Sequence, residues 1–252
     1  MSDLPGDVQY REFLKDTVRR RVDFSKTDQG RGIPPPPFEK AADPQAARIV
    51  LPKRAQWTRI GSVDLAGAMN SRRSRRKFAA QPFSLEETAF LLWAAQGLQR
   101  KFGDTATFRT VPSAGARHAF ETYVCALRIE ALPRGIYRYL PLSHELVCVY
   151  ADAGLAAKLV AAALGQEFLA ATAATFIWTA VPYRMEWRYG AAAGKVIALD
   201  AGHVCQNLYL ACEAINAGAC AIAAYDQQRM DELVRADGKE EFSLYLCATG
   251  KR

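Results

Sequence analysis

The sequence predicts an α+β fold, with one large globular unit behind an N-terminal arm. Three observations carry that prediction. Residues 84–98 open on a capping box and repeat apolar positions at helical spacing. Apolar runs between residues 121 and 149 are separated by turn residues, as in a strand meander. A long helical stretch at residues 195–217 leads into strand, helix and strand, and no internal repeat accompanies these elements.

Residues 1–60 read as an extended arm and residues 61–252 as the folded domain. A short helix is expected over residues 8–22, followed by Pro34, Pro35, Pro36 and Pro37, a run that cannot be helical and favours polyproline geometry. Such a run is either a ligand for a partner module or a stiff connector lying on the protein's own surface, and the connector is the simpler reading. A helix over residues 63–71 delivers a basic cluster at its end. In the next helix Ser84 and Glu87 form the capping box, Leu85, Ala89, Leu92 and Ala95 supply the apolar positions, and Gly97 is the stop. A loop over residues 112–118 precedes strands at 121–129, 135–139 and 145–149. Helices at 151–164 and 166–171 and a buried strand at 175–181 follow. The 195–217 helix is apolar on nearly all sides, through Val196, Ile197, Leu199, Val204, Leu208, Leu210 and Ile215, so burial all round is expected, shared between core and subunit interface. Strand 219–224, helix 227–235 and strand 242–249 close the chain.

At 252 residues and 50% hydrophobic content the chain can fill a sizeable core. No apolar run approaches the ~18–20 residues of a membrane span. The polar N-terminal residues lack the apolar segment of a secretion signal, and cytoplasmic residence is the expectation. Cys125, Cys148, Cys205, Cys212, Cys220 and Cys247 are spaced singly, mostly in apolar runs, which reads as buried free thiols rather than disulfides or a metal site. The formal charge of +7 is compatible with nucleic acid, an anionic membrane or an anionic cofactor. Without aromatic-basic interleaving or zinc-finger spacing, neither nucleic acid nor membrane is expected as a partner.

Several catalytic signatures fail. The stretch Gly190 to Val196 has one residue too few for a phosphate-binding loop, and Val196 stands where a hydroxyl should bind magnesium. No GxGxxG follows a strand, no GxSxG elbow is present, and His118, His144 and His203 are scattered. Three segments remain. Arg72-Arg73-Ser74-Arg75-Arg76-Lys77-Phe78 offers forked guanidinium donors and a hydroxyl, the chemistry of a phosphate clamp, with a solvated basic face as the plainer alternative. Pro112-Ser113-Ala114-Gly115-Ala116-Arg117-His118 is a loop of small residues whose backbone a planar ring can approach closely. Asp200 to Leu210 carries Gly202 inside a helix, at a cost of about 1 kcal/mol relative to alanine, which points to close approach by another backbone or ring.

The order and spacing of these segments resemble the FMN-dependent nitroreductase family, and within it the SagB/ThcOx-type dehydrogenase branch. The likeness spans nearly the whole chain: PPPPF and IVLP in the arm, RRSRRKF, LLWAAQGL, RTVPSAGARHAFETYV, GIYRY, EWRYG, LDAGHVCQNLYLACEA and LYLCATG. The resemblance implies a mixed central sheet flanked by helices, an intertwined homodimer, and FMN in each of two interfacial sites. It implies that Arg72, Arg73, Ser74 and Arg76 hold the FMN phosphate and pyrimidine edge. Ser113, Ala114 and Gly115, with His118, would line the flavin from the other subunit. Ala223 and Ala224 match the segment beside the reactive N5 edge, where relatives often carry glycine. The phosphate contacts that relatives make further along would either fall to the terminal Lys251 and Arg252 or be absent.

The same branch contains enzymes that oxidise azoline rings of ribosomal peptides to thiazoles and oxazoles. Those relatives carry a Lys-Tyr pair where this chain has Arg188-Tyr189. Tyr189 can serve as acid, base or orienting group. Arg188 cannot be a base, because its guanidinium stays protonated. Three readings follow: an FMN-dependent oxidoreductase acting by two-electron (hydride) transfer on a small molecule or modified peptide, with NADH or NADPH as candidate reductant; an azoline dehydrogenase; and a non-enzymatic FMN-binding scaffold.

Overall fold

The computed structural model describes residues 7–252, with side chains from residue 11 onward; residues 1–6 of the expected arm lie outside it. The arm begins with helix α1 (Asp7–Leu14), which stops well short of residue 22. The chain continues instead as a 3-10 turn at Thr17–Arg21. The β-branched pair Thr17 and Val18 and the tie of Asp16 to Arg19 (2.7 Å) favour the tighter turn over a continued helix.

A seven-stranded sheet forms the centre, in the order β1-β6-β5-β4-β7-β9-β8. Its strands are β1 (Arg48–Val50), β4 (Phe120–Ala126), β5 (Gly135–Leu140), β6 (Glu145–Ala151), β7 (Ala174–Ala180), β8 (Ala217–Ile222) and β9 (Phe242–Lys251). Each neighbouring pair runs antiparallel. Among the described residues, the parallel component expected of a mixed sheet is confined to two isolated bridges, Ser74 to Ala219 and Phe83 to Ile129. Strands β4 and β7 are buried at every position, so both faces of the sheet are covered. One core holds Phe83, Leu91, Val124, Trp178 and Leu208, between the sheet and helices α3 (Leu85–Gln96) and α6 (Ala193–Ala214). The other holds Tyr123, Ile136, Leu159, Ile177 and Met230 beneath α4 (Leu155–Ala162) and α7 (Gln227–Val234).

The capping box at Ser84 and Glu87 is formed in both directions. Helix α3 ends at Gln96 because Gly97 packs on its own last turn, where a Cβ would lie 2.4 Å from the Trp93 ring. The next residues form a hairpin, β2 (Leu98–Phe102) and β3 (Ala106–Arg109), turned at Gly103 with φ +52°. The helix expected over 166–171 is a 3-10 turn at Glu167–Ala171, and helix α2 (Leu65–Ser71) is capped by Asp64. Helix α5 (Tyr183–Tyr189) stands where no helix was expected. The cysteines are free thiols; all are buried except Cys148, which is half-buried.

The proline run lies along the domain. Arg109 donates to the Phe38 carbonyl (2.8 Å), Trp187 to the Ile33 carbonyl (2.8 Å), and Arg138 to the carbonyls of Lys40 (2.8 Å) and Ala41 (3.0 Å). Beneath it, buried Glu121 pairs with the equally buried Arg138 and Arg184, the paired state that buried charges require.

Within one chain, helix α6 buries one side only, which leaves the rest to the subunit interface that the sequence leads one to expect. One side is buried, through Ile197, Asp200, Val204, Cys205, Leu208 and Cys212, but Ala198, Leu199, Gly202, His203 and Gln206 are exposed. Leu199 is 55% exposed, and Leu65 and Met69 of α2 are also open to solvent. A Cβ on Gly202 would meet nothing within 4 Å, so no backbone among the described residues accounts for that glycine.

Candidate functional site

Two clusters hang from α6, one at Asp200 and one at Tyr209. At the helical rise of ~1.5 Å per residue their anchors stand about 13 Å apart along the axis. Both anchors lie in the Asp200–Leu210 motif, yet neither was singled out from sequence, because their role is tertiary.

At the Tyr209 end, the phenol oxygen accepts the Ala221 backbone N–H (2.7 Å) and shares a hydrogen bond with Ser74 Oγ (3.0 Å). The Arg72 guanidinium lies over the Tyr209 ring at 5.3 Å. Arg75 donates its backbone N–H to the Ala219 carbonyl (2.8 Å), which stitches the basic segment to edge strand β8. The Arg75 side chain runs along Gly218, where a Cβ would come within 2.7 Å of its Cδ, and its Nε is buried without a partner. Arg73 folds back onto the carbonyls of Asn70 (2.7 Å) and Arg72 (2.8 Å). Burial pushes the Cys220 thiol up, and the Arg76 charge opposes the shift. Among the described residues, no carboxylate pairs with Arg72, Arg73, Arg75 or Arg76. Such a cluster of unneutralised guanidinium donors beside a hydroxyl suits a phosphate. Ala223 and Ala224 follow β8 directly and are exposed.

At the other end, the Ala114 N–H donates to both Asp200 carboxylate oxygens (3.3 and 3.2 Å). Burial raises the Asp200 carboxyl pKa, while hydrogen bonds from Ser113 and Ala114 hold it back. Ser113 Oγ accepts the His118 N–H (2.9 Å). Gly115, Ala116 and His118 adopt φ of +58°, +54° and +48°, so the loop holds left-handed residues that cost about 1–2 kcal/mol each where they are not glycine. The Gly115 position is also closed by packing: a Cβ there would lie 2.8 Å from Arg188 Cδ and Nε and from the Tyr189 hydroxyl. The structure therefore brings the small-residue loop and the Arg188-Tyr189 pair together. The Arg188 guanidinium lies 5.6 Å from the Tyr189 ring centre. A groove of about 670 Å³ runs alongside, lined by Phe108, Thr110, Ser113, Gly115 and His118 among others.

Three of the residues expected at the site are engaged within the chain itself. The Ala114 N–H is already engaged by Asp200, which makes it part of the loop's brace. His118 is 3% exposed, with Nε2 at 3.0 Å from the Thr107 carbonyl. Burial first, then the nearby Arg109 charge, pushes its pKa down to about 3, so the ring is neutral and ties the loop to β3. Lys251 gives way as a phosphate ligand: its ammonium is held by Glu87 and the Ile215 carbonyl in a buried ion pair. Arg252 is likewise paired, with Glu213 at 3.1 Å. Sequence reasoning also missed Arg117, a buried cation of the loop whose spacing gave no sign of its contacts.

A model of the nitroreductase family matches residues 69–251. The chain belongs to the nitroreductase family. Members of this family are in general flavin-dependent oxidoreductases. A nitroreductase-type protein of Methanocaldococcus jannaschii is 30% identical over 193 residues, covering 77% of this chain and 93% of that protein. A nitroreductase-type structure from Ralstonia eutropha superposes with a TM-score of 0.67 at 26% identity, covering 86% of this chain and 98% of the other. The Escherichia coli microcin synthetase McbBCD complex, with truncated pro-MccB17 bound, contains a chain that superposes with a TM-score of 0.60 at 19% identity, over 76% of this chain and 75% of that one. This last likeness is one of fold. No described helix of this nitroreductase-family chain is long and apolar enough to cross a membrane.

Proposed function

We propose that this chain is an FMN-dependent oxidoreductase that works as a homodimer and moves two electrons, as hydride, to or from a small molecule or modified peptide. The observation that carries the proposal is the unneutralised guanidinium cluster around Ser74 and Tyr209. It is fixed by one helix to the Gly115–Tyr189 cluster, and the helix face between them is open. The donor set fits FMN: Arg72, Arg73, Ser74 and Arg76 would hold the phosphate and pyrimidine edge, and the orphaned Arg75 Nε adds a donor nearby. Ser113 and Gly115 of a second copy would line the ring, with Ala223 and Ala224 beside its reactive edge. When bound, FMN supplies the capacity to accept and donate hydride. Tyr189 would hold or deliver a proton at its hydroxyl, and Arg188 would keep its charge throughout. Free buried thiols fit residence in the reducing cytoplasm.

The test is optical. Purified protein should absorb in the flavin band and bleach on addition of NADH or NADPH under anaerobic conditions. Colourless protein that takes up no FMN would overturn the reading; a flavin that no reductant bleaches would favour the scaffold. A second reading, azoline oxidation in peptide tailoring, draws support from the microcin synthetase likeness and from Tyr189. Against it stands Arg188 in place of lysine.

A further inference from the structure

We propose that Arg117 and Arg188 together form an oxyanion subsite beside Gly115, which selects a substrate carrying a carboxylate on an apolar body. The purpose of such a subsite rests on the oxidoreductase reading, but its existence as a binding site does not. The two side chains converge on one glycine. Arg117 Nε donates to the Gly115 carbonyl at 3.1 Å, and Arg188 Nε lies 2.8 Å from the point where a Gly115 Cβ would stand. Arg117 is 7% exposed, stacks over the Trp187 ring at 5.0 Å, and gives its other arm to the Thr105 carbonyl.

Every one of these partners is neutral. Among the described residues no carboxylate forms an ion pair with Arg117 or Arg188. Buried charges ordinarily come paired, as Arg138 and Arg184 do here on Glu121, so an uncompensated guanidinium with a second one beside it is a departure that needs a reason. Burial first, and the Arg188 charge next, push the Arg117 pKa below its ordinary value. An anion held at the pair would offset the repulsion between the two guanidiniums. The Tyr189 hydroxyl, which would lie 2.8 Å from the same Gly115 Cβ position, adds a neutral donor. The groove alongside offers about 670 Å³, and Phe108, 49% exposed, gives it an apolar wall. Gly115 lines the groove and is also the residue on which both arginines converge, so a carboxylate held at the arginines can carry a ring or short aliphatic body along the groove.

Calorimetric titration of the purified protein with benzoate and with benzamide, its neutral counterpart, tests the subsite. Benzoate should bind about tenfold or more tightly than benzamide, the effect of at least one charge-assisted hydrogen bond. Arg188→Gln should bring the two affinities together, and Arg188→Lys should restore part of the preference. Arg117→Gln should act in the same direction; should that buried change prevent folding, Arg188→Gln alone decides. Equal affinities in the parent protein, no binding of either probe, or a preference that survives Arg188→Gln would each overturn the proposal. Flavin content is read on the same sample. A benzoate preference in protein that takes up no FMN would keep the subsite and sink the oxidoreductase reading; flavin without the preference would do the reverse.

Discussion

In the proposed function Tyr189 exchanges a proton beside the Gly115 loop, which its hydroxyl faces across the space a Cβ would fill. Changing Tyr189 to Phe keeps the ring's packing and removes only the oxygen. Flavin content should hold while turnover falls by roughly 10²–10⁴-fold, the usual contribution of general acid–base catalysis. Equal turnover in the two proteins would leave the pair a structural cap on α5. His118 makes a different kind of prediction. Its pKa in the folded protein is about 3, against 6.5 for the unperturbed group, so between these values the unfolded chain binds the extra proton. Stability from this group therefore rises with pH through that window and is lost as pH falls, with an upper limit of a few kcal/mol. Denaturation midpoints from neutral pH down to mildly acidic pH should drop more steeply in the parent than in His118→Gln. Parallel curves would contradict the burial assigned to this ring.

The elements that were legible in the sequence are those whose signals are local. The capping box at Ser84 and Glu87, the glycine stop at Gly97 and the turn-separated strands β4, β5 and β6 all stand where short-range chemistry puts them. The hairpin β2–β3 was not legible, because its strands LQRKF and ATFR are polar and mostly partner each other rather than a core. Helix α5 was missed because its seven residues offer no helical period. Within the candidate site the basic segment and the small-residue loop could be read as donors and a close-approach backbone. What could not be read was engagement by other residues: Asp200 on Ala114, Thr107 on His118, Glu87 on Lys251. These bonds join positions far apart in the chain and leave no spacing to detect. The basic segment yields a prediction at this scale. Arg73→Ala with Arg76→Ala removes two guanidiniums and no described ion pair, so the protein should fold with an unchanged circular dichroism spectrum and be isolated without flavin. Retention of full flavin would move the phosphate site elsewhere.

For the whole molecule, the open face of α6 is decisive. It presents Leu199, Gly202 and His203, with Leu65 and Met69 of α2 also exposed, in a helix whose other side is core. Small and apolar residues on an outer helical face suit close packing against a second copy, and a twofold pairing would meet the same patch with itself. Gly202, with open space where its Cβ would be, fits such an approach by a neighbouring chain. The same pairing would let the loop of one copy serve the guanidinium cluster of the other. Dimerisation and flavin binding are then one event. Sedimentation velocity followed in the flavin band measures it directly. The flavin should travel with a species of twice the 27.8 kDa chain mass at every concentration where it stays bound; flavin sedimenting with a stable 27.8 kDa monomer would contradict the shared site.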